Sequence, residues 1–227
     1  LNTSSAQVIL DFGCGDGRYS HLVASTRNDA YVFGVDISSL SVRQANKFSH
    51  NLRHRLSFII CDVERLPFPH ETFDAVLAID IIHHSGLDAL WEVKRVLKKG
   101  GYLFINETVL NNPFIFFGKT VFPLIPKYIK NFMLDVGPAG EIPPTFLFST
   151  GMLRTCLRSL DFTFVKEERE SLFVFLFNYF FLFPLTRFLV STGVLLSMFG
   201  FERFLIEHTP ARALCHGVRF WCVLNRG

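Results

Sequence analysis

Cysteine is too scarce and too scattered here to staple a fold or hold zinc. The five cysteines, Cys14, Cys61, Cys156, Cys215 and Cys222, are odd in number and include no C-x-x-C pair. Neither a disulfide framework nor a zinc site is indicated, and a reduced cytoplasmic setting is the simpler reading. His208 and His216 have no ligand spacing, so no metal is expected. Charge imbalance is lacking too: 23 basic against 20 acidic residues leave a formal +3, which does not single out a nucleic-acid binder. A membrane-spanning run is also missing. The longest uncharged apolar stretch of the C-terminal half, Leu172 to Thr186, is closed by Arg187 and falls short of the roughly 18 to 20 residues that span a bilayer. The first strand starts within the first ten residues, and no signal peptide is expected. No internal repeat is evident.

What the chain has in excess is phenylalanine. Of its 27 Phe, 19 lie between Val109 and Glu207, so the apolar character is regional and calls for a local explanation. The first hundred residues instead alternate strand and helix patterns. Strands are expected at 7–12, 30–35, 56–60, 73–79 and 102–106, with helices at 18–26, 38–48 and 87–97. Ser38 or Ser39 is placed to cap the second helix. Lys98-Lys99-Gly100-Gly101 is placed to close the third. A helix at 148–160 and strands at 162–166 and 218–224 complete the pattern. Such alternation specifies an α/β fold with a doubly wound, largely parallel sheet.

The turn after the first strand is Gly13-Cys14-Gly15-Asp16-Gly17. Glycines there allow positive φ and close backbone approach to a ligand. The next helix would aim its N-terminal N–H groups at the same spot, at the carboxyl edge where open parallel sheets bind ligands. Asp36, ending the second strand, is placed to accept from both hydroxyls of a ribose. A nicotinamide dinucleotide fits less well. Its fingerprint is G-x-G-x-x-G, whereas this loop reads G-x-G-x-G and puts acidic Asp16 where a pyrophosphate would be repelled. A phosphate-free, zwitterionic nucleoside suits the loop better.

Val8 through Gly17 resembles motif I of class I S-adenosylmethionine-dependent methyltransferases, whose pattern is hydrophobics and then D/E-x-G-x-G-x-G. Gly34-Val35-Asp36-Ile37-Ser38 resembles the next motif. Cys61-Asp62-Val63 with Leu66-Pro67-Phe68 is similar to the adenine-binding segment of the UbiE-like branch. Phe73-Asp74-Ala75-Val76, His83-His84 and the Val93 to Gly101 segment continue the likeness, with Lys99 in place of the usual Pro, and a weaker echo runs from Phe148 to Phe162, where Asp161 replaces a Gly. The resemblance implies a Rossmann-like, seven-stranded mixed sheet with Phe-rich helical insertions after strand five and before the last strand. It implies one methyltransferase domain over 1–227: a cofactor-binding core at 1–108, apolar lid segments at 109–147 and 171–207, and returns to the sheet at 148–170 and 214–227.

It also implies S-adenosyl-L-methionine as cofactor and roles for named residues. Asp11 would orient the loop and meet the methionyl amino group, directly or through water. Gly13, Cys14 and Gly15 would offer backbone contacts. Asp36 would hold the ribose, Ile37 would pack on the adenine, and Asp62 would accept from its N6 amino group. Val63 would donate its N–H to a ring nitrogen, and Ala78 would approach the methionyl portion.

Transfer from a sulfonium is an in-line displacement, so alignment is the protein's main lever. A base is needed only for a hydroxyl or protonated acceptor. His83 and His84 are the candidates, with packing around the following helix as the bland alternative; Asn106 and Glu107 point to the acceptor side. The Phe-rich half reads either as a substrate-capping lid or as a peripheral contact with the inner membrane surface through 113–130 and 172–201. Between Glu107 and Asp135 the only charges are Lys119, Lys127 and Lys130, as suits an anionic surface. The leading reading is methyl transfer to a small-molecule or lipid acceptor. A methyltransferase acting on protein or RNA and a non-catalytic cofactor-binding partner subunit are the alternatives.

Overall fold

In the computed structural model, residues 7–109, 148–170 and 217–226 are described. Seven strands form one sheet: β1 (Gln7–Phe12), β2 (Ala30–Asp36), β3 (Leu56–Ile60), β4 (Phe73–Ile79), β5 (Leu97–Thr108), β6 (Phe162–Glu170) and β7 (Gly217–Leu224). Their order is β3-β2-β1-β4-β5-β7-β6. This is the seven-stranded mixed sheet expected, with β1 to β5 paired in parallel. The described helices are α1 (Arg18–Thr26), α2 (Ser39–Phe48), α3 (Ile82–Ser85), α4 (Leu90–Val96) and α5 (Thr150–Ser159).

The chain divides into two compact units. One comprises Leu1–Glu107, Gly151–Glu167 and Arg219–Gly227; the other comprises Thr108–Thr150 and Glu168–Val218. The proposed lid segments at 109–147 and 171–207, and the membrane-contact segments within them, lie almost wholly outside the described residues. Among the described residues, no helix is long and apolar enough to cross a membrane. Cys14, Cys61, Cys156 and Cys222 are all free thiols.

Local chemistry explains the elements. β1 is buried at five of its six positions, as a parallel strand covered on both faces must be. Ile9, Val32, Leu56 and Ala75 pack with Ala24 of α1 into one core cluster. Ser38 caps α2 by accepting from the Ser41 N–H at 3.2 Å. Phe33, Phe68 and Phe73 meet edge to face, the closest centroids 4.8 Å apart, in a geometry aromatic quadrupoles favour. Phe68 thereby pins the segment after β3 to the sheet.

Two boundaries differ from the sequence pattern. The 87–97 helix is split into a 3-10 turn, Leu87–Ala89, and α4. It is not closed by Lys98 to Gly101, because Leu97 already pairs with Phe73 and opens β5. Gly100, at φ 75°, then absorbs a register shift in that pairing. Lys98 bonds to Asp74, which also accepts the Val8 N–H at 2.9 Å. Asp74 is thus a sheet tie.

Register decides where function gathers. Phe12 aligns with both Val35 and Ala78, Asp36 with Ile60, and Ile79 with Asn106. The carboxyl ends of β1 to β5 therefore lie along one edge. Strand order reverses between β1 and β4, so the crevice at that edge is the binding position for this kind of sheet.

Candidate active site

The loop after β1 is built from three glycines with positive φ: 77° at Gly13, 54° at Gly15 and 79° at Gly17. Their surroundings differ. A Cβ on Gly13 would lie 2.4 Å from Ile81, and one on Gly17 would lie 2.6 Å from Phe58, whereas one on Gly15 would meet nothing within 4 Å. Gly13 and Gly17 are packed against neighbouring side chains; Gly15 faces open space.

The backbone donors of this loop point inward. Both Gly13 and Cys14 donate to the Val35 carbonyl, at 2.9 and 2.8 Å, and Gly17 donates to the Cys14 carbonyl. The Gly15 N–H donates to Asp36 Oδ2 at 2.9 Å, and the Arg18 N–H to Asp16 Oδ1 at 3.3 Å. The N–H groups of Gly13, Cys14, Gly15 and Gly17, and the first N–H of α1, are thus engaged within the protein. An anion site needs such donors, so the loop does not suit a pyrophosphate. It suits a cationic or neutral group that carbonyl oxygens can meet.

Asp36 occupies the position expected of it. Its Oδ1 accepts the Ser38 N–H at 2.8 Å while Oδ2 takes that of Gly15, which clamps the carboxylate at the loop edge. Ile37 beside it is 71% exposed, an apolar side chain left standing where a flat base would cover it. Asp62 is exposed, with its Oδ1 accepting the Glu64 N–H at 2.9 Å; Val63 is buried. Ala78 is wholly buried near the end of β4, so its backbone, not its methyl, can face the crevice. Together these groups fit an adenosyl cofactor without phosphates.

Asp11 lies beneath the loop, 2% exposed, and accepts from the Ser20 hydroxyl at 2.5 Å. Burial raises its carboxyl pKa to about 6, against the opposing effect of the Ser20 bond. The Cys14 thiol is also pushed far up, first by burial and then by the charges of Asp11 and Asp36, so it is not a nucleophile.

At the β4 and β5 ends a second group forms. His83 Nδ1 contacts Glu107 Oε1, and the other carboxylate oxygen, Oε2, accepts the Ile82 N–H at 2.6 Å. Glu107 is 0% exposed and His83 19%. Glu107, shut away from solvent, therefore supports His83. His84 stacks beside His83 at 4.0 Å between centroids; desolvation first, and His83 second, hold its pKa below the ordinary histidine value. Asp80, at φ 51°, has its carboxyl pKa raised by desolvation and then by Glu107. The ligating atoms of Asp80, His83 and Glu107 lie within 4.8 Å of one another, a grouping that sequence spacing alone does not reveal.

Two structural contributors went unread in the sequence. Ile81 packs onto Gly13. Arg95 donates to the Leu66 and Phe68 carbonyls while paired with Glu92, which accepts the Leu66 N–H at 2.9 Å. Only the latter left a trace, as opposite charges three apart on α4.

Residues 10–105 match the family described as a methyltransferase domain. Over 108 residues the chain is 35% identical to 27-O-demethylrifamycin SV methyltransferase of Amycolatopsis mediterranei, covering 45% of this chain and 39% of that protein. It is 32% identical over 110 residues to a sterol 24-C-methyltransferase of Aspergillus fumigatus, covering 47% of this chain and 29% of that one. The chain thus matches less than half the length of these two curated relatives. Among solved structures, geranyl diphosphate C-methyltransferase from Streptomyces coelicolor superposes with a TM-score of 0.64 at 18% identity, over 99% of this chain and 75% of that chain; this likeness bears on the fold.

Proposed function

We propose, from the premise that residues 10–105 form a class I S-adenosylmethionine-dependent methyltransferase domain, that the chain transfers a methyl group to a small lipophilic acceptor by in-line displacement. The observation that carries this reading is the loop whose N–H groups are engaged internally, beside the clamped Asp36 carboxylate and the exposed Ile37. Such a site suits an adenosyl group better than a pyrophosphate.

When bound, S-adenosylmethionine supplies an electrophilic methyl group on a sulfonium. The chain's own residues do the rest. Asp36 holds the ribose hydroxyls, Ile37 covers one face of the adenine, Asp62 accepts from its amino group and the Val63 backbone donates to a ring nitrogen. The Gly13 to Gly15 carbonyls and the Ala78 backbone line the methionyl portion, with Asp11 beneath. His83 and His84 stand at the reacting end. Because displacement depends on alignment, these fixed contacts account for most of the rate.

The lipophilic acceptor is supported by the activities of the relatives, a sterol methyltransferase and a demethylrifamycin methyltransferase, and by the phenylalanine concentrated between Val109 and Glu207. Segments 113–130 and 172–201 make the peripheral membrane contact through which such an acceptor arrives, at the inner, cytoplasmic surface.

Calorimetric titration with S-adenosylmethionine should show one site that Asp36→Ala weakens at least about tenfold. With tritiated cofactor and oleic acid, cholesterol or 4-octylphenol as acceptor, label should enter the solvent-extractable fraction. Label confined to protein or RNA overturns the acceptor class. Failure to sediment with phosphatidylglycerol vesicles overturns the membrane contact.

A further inference from the structure

We infer that Glu107 is a positioning residue that makes His83 the acceptor's general base, and that the acceptor therefore carries a hydroxyl group. This rests on the methyltransferase reading above and deepens it.

The geometry is specific. Glu107 closes β5, and its side chain is shut away from solvent. One carboxylate oxygen is fixed by the Ile82 N–H at the start of α3, and the other contacts His83 Nδ1 one residue on. Two elements, β5 and α3, thus aim one imidazole. With Nδ1 donating to Glu107, Nε2 is left as the acceptor nitrogen. His83 keeps a partly open edge, as its 19% exposure requires for contact with a substrate. His84 stacks on the same ring, but it is His83 that meets the Glu107 carboxylate.

A buried carboxylate is costly to keep unless it has work that a neutral residue cannot do. Here it stabilises the imidazolium that forms when His83 takes a proton. A neutral amine already presents its electron pair, and an alkene carbon sheds its proton only after the methyl bond has formed, so neither needs a proton removed beforehand. An alcohol or phenol does, because its oxygen holds its proton at neutral pH. In the step, the acceptor oxygen yields its proton to His83 Nε2 and forms a bond to the methyl carbon. The carbon–sulfur bond breaks with its electron pair remaining on sulfur, which becomes a neutral thioether. The imidazolium then returns its proton to water.

The test uses the full chain labelled with 15N-histidine, tritiated S-adenosylmethionine and 4-octylphenol as the probe acceptor. His83 nitrogen shifts, assigned by His83→Asn, should report the Nδ1–H tautomer in the wild type. Glu107→Gln offers one acceptor oxygen to two N–H donors. With that oxygen on the Ile82 N–H its amide group faces Nδ1, so it should shift His83 toward the Nε2–H tautomer and lower kcat on the phenol by about 10- to 100-fold with KM changed little. Glu107→Ala should revert His83 toward the Nε2–H tautomer of a free imidazole. Adding His83→Ala to Glu107→Gln should lower kcat no further than His83→Ala alone, since the two act as a unit.

A wild-type Nε2–H tautomer, or a Glu107→Gln kcat within about twofold of wild type, overturns the positioning role. No transfer to the phenol while calorimetry shows intact cofactor binding overturns the hydroxyl class and leaves the methyltransferase reading standing. Loss of cofactor binding by the wild type would instead remove that reading itself.

Discussion

Ser20 donates its hydroxyl to the buried Asp11 carboxylate at 2.5 Å, tying the first turns of α1 to the end of β1 directly beneath the glycine loop. Ser20 is itself fully buried. The bond therefore joins helix and strand where neither partner can turn to water instead.

Removing that donor leaves a buried carboxyl without its partner. Ser20→Ala should destabilise the chain by about 1–3 kcal/mol, read as a lower urea midpoint with unchanged slope.

Asp11 also links stability to pH. Its folded pKa, about 6, lies above the ordinary aspartate value of 3.8 because burial disfavours the charge. The native state then binds the proton more tightly than the unfolded chain. This contribution is fully present below about pH 4 and is lost as pH rises through about 6. The two-unit shift corresponds to roughly 3 kcal/mol. Denaturant melts of the cofactor-free chain should show Asp11→Asn losing this pH dependence between pH 4 and 7. A variant with the same dependence as wild type would assign it to other groups.

Gly15 and Gly17 should respond differently to alanine, although both sit at positive φ. Gly17→Ala drives a methyl into Phe58 and Ala45 and should lower thermal stability by more than the roughly 1–2 kcal/mol of a left-handed alanine. Gly15→Ala has free space; beyond that backbone cost, its methyl projects into the crevice and should weaken cofactor binding. Melting temperature and calorimetric affinity, measured on both variants, separate the two effects.

Asp161 holds a left-handed φ of 65° at the position where the resembling family has glycine. Its ion pair with Lys94 is mostly solvent-exposed and is worth little. Asp161→Gly should therefore be neutral or stabilising by up to about 1 kcal/mol. A clear loss in melting temperature would show that the Lys94 pair matters more than its exposure allows.

Much of the architecture was legible because it is local. Alternation of short apolar runs with amphipathic stretches located all seven strands, and the Ser38-Ser39 pair announced the cap that Ser38 makes. Asp161 was read only as standing where the family usually has glycine, and its left-handed backbone came from the structure. The closing of α4 was misread because Lys98-Lys99-Gly100-Gly101 is a good helix stop in isolation. Pairing of Leu97 with Phe73, a contact distant in sequence, outcompeted that local preference.

By itself the sequence determined the glycine loop, the acidic residue at the end of β2 and the order of the motifs, since each depends on residues close together along the chain. Only the tertiary structure decided which way the loop donors face, because Val35 and Asp36 must first be brought alongside by strand pairing. It alone also joined Glu107 to His83. Those residues are 24 positions apart and meet only because β4 and β5 end at the same level of one sheet, where a buried carboxylate can find its imidazole.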